Sequence, residues 1–364
     1  MDRESLQLAP YAMRSEHSAG REHPESPHPY RSAFQRDRDR ITHCAAFRRL
    51  SHKTQVFTGE LGDYHRSRLT HTLEVSSVAR TMARALSLNE DLVEALALLH
   101  DIGHPPFGHA GEDVLNERLA GLGGFNHNAQ ALRIVERLEI RYPRFPGLNL
   151  SQKVLEGQRR RATKHEAAGA DALQPPLEVQ VVDAADSIAY DAHDADDALE
   201  LGLLTLDDLN EIPLWRDAAE RVADRFDGLT NHELRRAVIH ELIDTAVSNM
   251  VKLAQTRIDE FQLASIDDVR SSPPLLNPPA PVAERKRELQ AFLFQRVYRH
   301  PEVLTQREIT NTELGRLFDH YLANPQLLPT FFERIAGEEG LPRAVADWVS
   351  SHTDRSAREA YQQL

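Results

Sequence analysis

Apolar residues in this chain recur at intervals of three and four, and no strand-length run alternates apolar with polar residues. That spacing commits the chain to helices, because a helix gathers positions 3.6 residues apart on one face while a strand needs a period of two. Between Thr70 and Leu86 the stripe is Leu73, Val75, Val78, Ala79, Met82 and Leu86. Asn89 is placed to cap the next helix, with Glu90 and Asp91 in its first turn and Leu92, Ala95, Leu96 and Leu99 as its buried face. Gly103, Pro105 and Pro106 end that helix just after His100 and Asp101. Helical spacing also predicts a segment through Ile41, Ala45, Phe47 and Leu50, one over Asn126–Leu138, a strong one over Leu177–Leu199, and more toward the C-terminus. The expected fold class is all-α, with no internal repeat.

Composition narrows the function classes. The chain has 364 residues with a formal net charge of −13, which argues against bulk nonspecific binding of nucleic acid. No apolar run approaches the roughly 18–20 residues of a membrane span, and the first thirty residues lack the apolar core of a signal peptide. Cys44 is the only cysteine, which excludes an intramolecular disulfide and a cysteine-cluster zinc site in this chain. The expectation is a soluble, cytoplasmic protein. Residues 1–32 mix Ser, His, Pro, Glu and Arg without periodicity and read as a flexible arm. Gly157–Pro176 reads as a mobile loop and Ser271–Pro281 as a second loop.

Eight of the 18 histidines fall between residues 43 and 127. Histidine is the commonest metal ligand and the acid–base group that works near neutral pH, so chemistry concentrates in this window. His71 begins one predicted helix and His100-Asp101 ends the next, while Asp186 lies on the acidic helix after the loop. Neighbours on a helix point about 100° apart, so His100 and Asp101 reach one ion only where a helix ends. Two imidazoles and two carboxylates make a mixed N/O set suited to Mn, Mg, Fe, Co or Ni. Such an ion lowers the pKa of water and polarises a phosphoryl oxygen. Alone, a His-Asp dipeptide is more often a helix-end hydrogen bond, and a lone His71 a buried, satisfied histidine.

The longer motifs decide between these readings. Leu98–Glu112 (LLHDIGHPPFGHAGE), Arg66–Val75, Val181–Leu199, Arg38–Phe57 and Leu289–Val303 occur in an order that resembles the HD-domain deoxynucleoside triphosphate triphosphohydrolases, in their bacterial dGTPase-like branch. The resemblance implies an all-α HD-domain core with additional C-terminal helices. It implies a catalytic core over 33–210 and a helical region over 211–364 packed on it. Carried over position by position, it implies metal ligands His71, His100, Asp101 and Asp186.

His109 and Glu112 are three apart, a spacing at which a carboxylate orients an imidazole. The resemblance implies the same partnership, with His109 an acid or base, and His104 stands beside them as a further catalytic candidate. The resemblance further implies Tyr190 under a deoxyribose, Asp194 on its 3′-hydroxyl, and Gln55 and Val56 contacting the 3′-hydroxyl and crowding a 2′-hydroxyl. Arg68 lies on the helical face of His71 and matches a phosphate-site arginine, and His127 matches a histidine near the phosphates. Lys164, Arg159–Arg161, Arg48 and Arg49 are further basic candidates. Asp191, Asp196 and Asp197 read instead as a solvated acidic face. No Lys or Arg occurs between Leu177 and Trp215, so cations for this region must come from elsewhere.

The activity expected from the resemblance is metal-dependent hydrolysis of a deoxynucleoside triphosphate to deoxynucleoside and triphosphate by a homo-oligomer. Two alternatives are an HD-type nucleotide phosphatase or phosphodiesterase, and a nucleotide-sensing or single-strand-binding protein with vestigial hydrolysis.

Overall fold

A computed structural model describes residues 3–55, 66–163 and 173–364. Among the described residues the secondary structure is helical, apart from isolated two-residue bridges such as Thr54 with Ser67. The first half carries α1 (Arg3–Gln7), α2 (Ala33–Thr42), α3 (Ala45–Arg49), α4 (Arg68–Ala85), α5 (Glu90–Leu99), α6 (Gly108–Arg118), α7 (His127–Arg133), α8 (Gln152–Ala162) and α9 (Leu177–Glu200). The second half carries α10 (Leu206–Asn210), α11 (Pro213–Ala223), α12 (Asn231–Glu260), α13 (Ile266–Ser271), α14 (Ala280–Leu293), α15 (Pro301–Ala323), α16 (Thr330–Glu339), α17 (Leu341–Ser350) and α18 (Asp354–Tyr361). The all-α expectation holds. Among the described residues no helix is long and apolar enough to cross a membrane.

Local chemistry accounts for the helix starts. Asn89 Oδ1 accepts the Leu92 amide at 3.2 Å ahead of α5, and Asn126 Oδ1 accepts the amides of Asn128 and Ala129 ahead of α7. Ser32 with Gln35, and Thr230 with Glu233, form reciprocal capping pairs on α2 and α12. The single helix expected through Ile41–Leu50 is two, broken at His43-Cys44, where the Cys44 sulfur accepts the Phe47 amide and caps α3.

The chain divides into two units. One comprises Met1–Met13, Glu74–Val93 and Leu173–Leu304, and the other Arg14–Leu73, Glu94–Ala172 and Thr305–Leu364. They interleave along the sequence, so a boundary after residue 210 does not separate them. In the second unit, Phe107, Leu115, Leu119 and Phe125 form one core with Leu314, Phe318, Val345 and Val349 from the C-terminal helices. In the first unit, α9 packs against α12 and α14, and Trp215 on α11 is fully buried.

Three expectations need correction. The N-terminal arm is not free chain: Tyr11, Ala12 and Met13 are buried, and Arg21 pairs with the buried Asp37 and donates to the Asn149 carbonyl at 2.6 Å. Its anchors are charge and backbone partners far away in sequence, which periodicity does not register. The loop expected from Gly157 begins later, because α8 runs to Ala162 and buries Gln158, while residues 164–172 lie outside the described set. The acidic face is not simply solvated either. Asp191 is buried against Lys286 Nζ and Gln290 Nε2, both at 2.8 Å, and Asp196 pairs with Arg235 at 2.6 Å. The cations missing from Leu177–Trp215 arrive on α12 and α14.

Candidate metal and acid–base centre

His71 sits in the first turn of α4, and His100 and Asp101 follow the last residue of α5, where the turn of Gly103 and two prolines stops the helix. One ligand atom from each of the three lies within 4.8 Å of the others, and all three residues are buried. His100 Nδ1 is 2.6 Å from the Ala97 carbonyl. A carbonyl can only accept, so the proton sits on Nδ1, the tautomer used by metal-binding histidines that ligate through Nε2. Asp101 Oδ2 accepts Arg68 Nη1 at 2.9 Å, and Oδ1 lies 3.1 Å from His104 Nε2. Burial pushes the Asp101 pKa up, but the charge of Arg68 and the adjacent imidazoles outweigh it and hold the carboxyl well below its usual range. An anionic carboxylate beside two imidazoles fits a divalent cation of the N/O-preferring kind.

A second group stands against the first. Glu112, on α6, accepts from both sides: Oε2 is 3.1 Å from His109 Nδ1, and Oε1 is 2.8 Å from both the Nδ1 and the backbone N of His127. Asn128 Nδ2 lies 2.9 Å from His127 Nε2, and Gln158 Nε2 donates to Asn128 Oδ1 at 3.1 Å. The chain Gln158–Asn128–His127–Glu112 thus fixes the His127 tautomer with its proton on Nδ1. Burial raises the Glu112 pKa, but hydrogen bonds from the two histidines reverse the direction and hold it well below normal. His104 stacks on His127 with ring centroids 3.9 Å apart and planes 15° apart. Burial, then the neighbouring Arg68 and His127, push the His104 pKa far down, so its ring is neutral. The His109 side chain is 60% exposed, so it is the member of this group that meets solvent.

The backbone between the two groups approaches α7 closely. A Cβ on Gly103 would stand 2.0 Å from the His127 carbonyl oxygen and 2.4 Å from the Ala131 nitrogen, so only glycine fits. Phe107 and Gly108 then take left-handed φ angles of +64° and +59°, which swing the chain into α6 and bring His109 and Glu112 to His127.

Other sequence candidates fall as follows. Arg68 is fully buried, donating to Asp101 and, through Nη2, to the Gln55 carbonyl at 3.1 Å, so its charge is fixed inside the site. Gln55 is buried; Val56 and Lys164 lie outside the described residues. Arg159 pairs with Glu136 at 2.6 Å. Asp186, Tyr190 and Asp194 are on α9, in the other unit. There the Tyr190 hydroxyl is 2.6 Å from that of Tyr298, which donates to Asp194. Tyr298 is absent from the sequence-derived site, and its only signal was its place in the Leu289–Val303 motif. Lys53 was also missed: it is buried and donates to the carbonyls of His104 at 2.5 Å and Ser350 at 2.9 Å.

The HD domain family matches residues 68–191, a span that runs from Arg68 through both histidine groups to Asp186 and Tyr190. A phosphohydrolase-associated domain matches residues 276–363. A deoxyguanosinetriphosphate triphosphohydrolase-like protein of Geobacter sulfurreducens is 43% identical over 99% of this chain and 96% of its own length. The chain belongs to this dGTPase-like HD family. Relatives of the same name from Ralstonia pickettii and Leptospira interrogans are 41% and 38% identical, covering 98% and 100% of the chain and 94% and 98% of their own lengths. As an HD-type phosphohydrolase, the dGTPase-like chain has the two histidine groups inside the segment that defines the family.

Proposed function

We propose that this dGTPase-like protein hydrolyses deoxynucleoside triphosphates to deoxynucleoside and inorganic triphosphate. The observation that carries the reading is that His104 touches both groups, its Nε2 3.1 Å from Asp101 Oδ1 of the candidate cation site and its ring stacked at 3.9 Å on His127, one of the two histidines bonded to Glu112. The first group would hold a divalent ion (Mn, Mg, Fe, Co or Ni) through His71, His100 and Asp101. Asp186 is proposed as a fourth ligand because the same HD segment contains it. Such an ion supplies positive charge and Lewis acidity at a phosphoryl group.

The chain's own residues then do the rest. With Glu112 on its Nδ1, His109 keeps Nε2 to exchange a proton with the attacking water or with the leaving 5′-oxygen. Arg68 is a preorganised charge whose effect is strong because water is excluded around it. His127 stands beside the phosphates, and the buried His104, stacked on it and bonded to Asp101, is a further catalytic candidate. Tyr190 and Asp194 hold the deoxyribose and its 3′-hydroxyl, with Gln55 and Val56 crowding a 2′-hydroxyl, which selects against ribonucleotides. Lys164 adds a cation for the triphosphate. The proposed assembly is a cytoplasmic homo-oligomer.

The test is chromatographic. Purified protein given the four dNTPs, singly and in pairs, with Mn or Mg should release triphosphate, and His100→Ala should abolish the release. Inorganic phosphate as product would assign a phosphatase instead, and unchanged release from His100→Ala would refute the metal assignment.

A further inference from the structure

The C-terminal helix α18 grips the turn that carries the acid–base group. Asp354, its first residue, is 9% exposed, and its two carboxylate oxygens are fully used. Oδ1 accepts the Phe107 amide at 2.8 Å, while Oδ2 accepts the Thr54 amide at 2.9 Å and the Thr54 hydroxyl at 2.5 Å. One turn further along α18, the Arg358 guanidinium lies over the Phe107 ring, 5.4 Å from its centroid. Phe107 is thus held by backbone and ring from one helix, and it is the residue whose φ of +64° an L side chain rarely adopts. Beside this clamp, Lys53 joins the His104 carbonyl to the Ser350 carbonyl at the end of α17. The segment from His104 to Gly108 is therefore fixed at both ends by residues from the last fifteen positions of the chain and by Lys53-Thr54.

We infer that Asp354 is a positioning residue for catalysis: it holds Phe107 in the left-handed turn that delivers His109 and Glu112 to His127. Without the carboxylate the Phe107 amide is buried with no acceptor, and the left-handed turn loses the contact that over-determines it. The inference rests on the proposed phosphohydrolase reading for its catalytic consequence, but not for the clamp itself. Helix α18 could have been only a lid on the core, since Ala357 packs there too. What sets Asp354 apart is that both its oxygens point to loop backbone flanking the site rather than to its own helix.

Two variants grade the clamp. Asp354→Asn keeps one carbonyl acceptor and Asp354→Ala keeps none. With dNTP and metal, kcat should fall about tenfold for the first and about a hundredfold for the second, the scale of a misplacement of about 1 Å, while KM stays within about twofold. Hydrogen exchange read by mass spectrometry, with no substrate present, should speed up in the peptide covering 104–112 and stay unchanged in α9. A merely structural Asp354 would lower the unfolding temperature without a graded loss of kcat per folded molecule. Equal kcat in wild type and Asp354→Asn, or unchanged exchange over 104–112, overturns the inference, and Asp354→Asn decides if the alanine variant does not fold. If the wild type turns over no dNTP, the functional reading fails, and the exchange data still test the clamp.

Discussion

Glu178 Oε1 accepts the backbone amide of Met13 at 2.7 Å, so a buried carboxyl at the start of α9 fastens the end of the N-terminal segment. The Asn89 amide reaches the same oxygen at 3.4 Å. Burial pushes the Glu178 pKa up from 4.5 to about 7, against the lowering effect of those amides. A folded pKa above the unfolded one favours the protonated form. Its contribution is complete below about pH 4.5 and is lost as pH rises through about 7. A shift of this size amounts to about 3 kcal/mol. Glu178→Gln keeps an acceptor for Met13 and carries no charge. Thermal unfolding from pH 5 to pH 9 should therefore show the variant gaining on wild type between pH 5 and about pH 7, with a constant advantage above that. Parallel curves would mean that Glu178 does not set the slope.

Glu112 serves two histidines with one carboxylate, so Glu112→Gln cannot replace it. An amide has one acceptor, and its NH₂ would face a ring N–H of either His109 or His127. Steady-state kinetics should show kcat down by roughly 100-fold or more, within the range for losing an oriented acid–base group. Bound metal, measured by elemental analysis, should be unchanged, since Glu112 is outside the His71–His100–Asp101 group. Loss of metal together with kcat would place Glu112 in the wrong group.

How much of this was readable beforehand follows from the range of each interaction. The helices of the HD segment, the break after Asp101 and the His109–Glu112 pair depend on residues within a few positions, and periodicity and spacing expose such relations. His127 with Glu112 is fifteen residues apart, and the family motif marked His127 as a histidine near the phosphates without marking this contact. Asp354 with Phe107, Lys53 with Ser350 and Arg21 with Asn149 join backbone groups more than a hundred positions apart, and a backbone partner leaves no residue-type signature. Asp191 was misread for a related reason: an acidic helix looks solvated until the helix carrying its cation, Lys286, is packed on it.

Asp101 separates metal binding from stability. It faces the fully buried Arg68 at 2.9 Å, so Asp101→Ala leaves an uncompensated buried cation and should cost about 3–5 kcal/mol. His100→Ala avoids that penalty, and Asp101→Asn, which removes the charge but keeps an oxygen acceptor for Arg68, lessens it. Both should still lose the divalent ion, seen as substoichiometric metal after dialysis. If Asp101→Asn retained wild-type metal content, the ion would belong to the His104–Glu112–His127 group instead.

Gly103 links packing to the site most directly. Its missing side chain lets the turn after Asp101 lie against the first turn of α7, with no room for a methyl group beside the His127 carbonyl. Gly103→Ala has to push backbone rather than a flexible side chain, so it should destabilise by about 1–3 kcal/mol or more. The displacement falls on His127 and Ala131, so kcat should drop as well. Gly337 in α16 is the matched control: nothing lies within 4 Å of its added Cβ, and an alanine inside a helix gains about 0.5–1 kcal/mol over glycine. Unfolding midpoints should therefore move in opposite directions, down for Gly103→Ala and level or up for Gly337→Ala, with kcat altered only in the first. A Gly103→Ala protein as stable and as active as wild type would show that α7 does not have to approach the turn this closely for the histidine group to form.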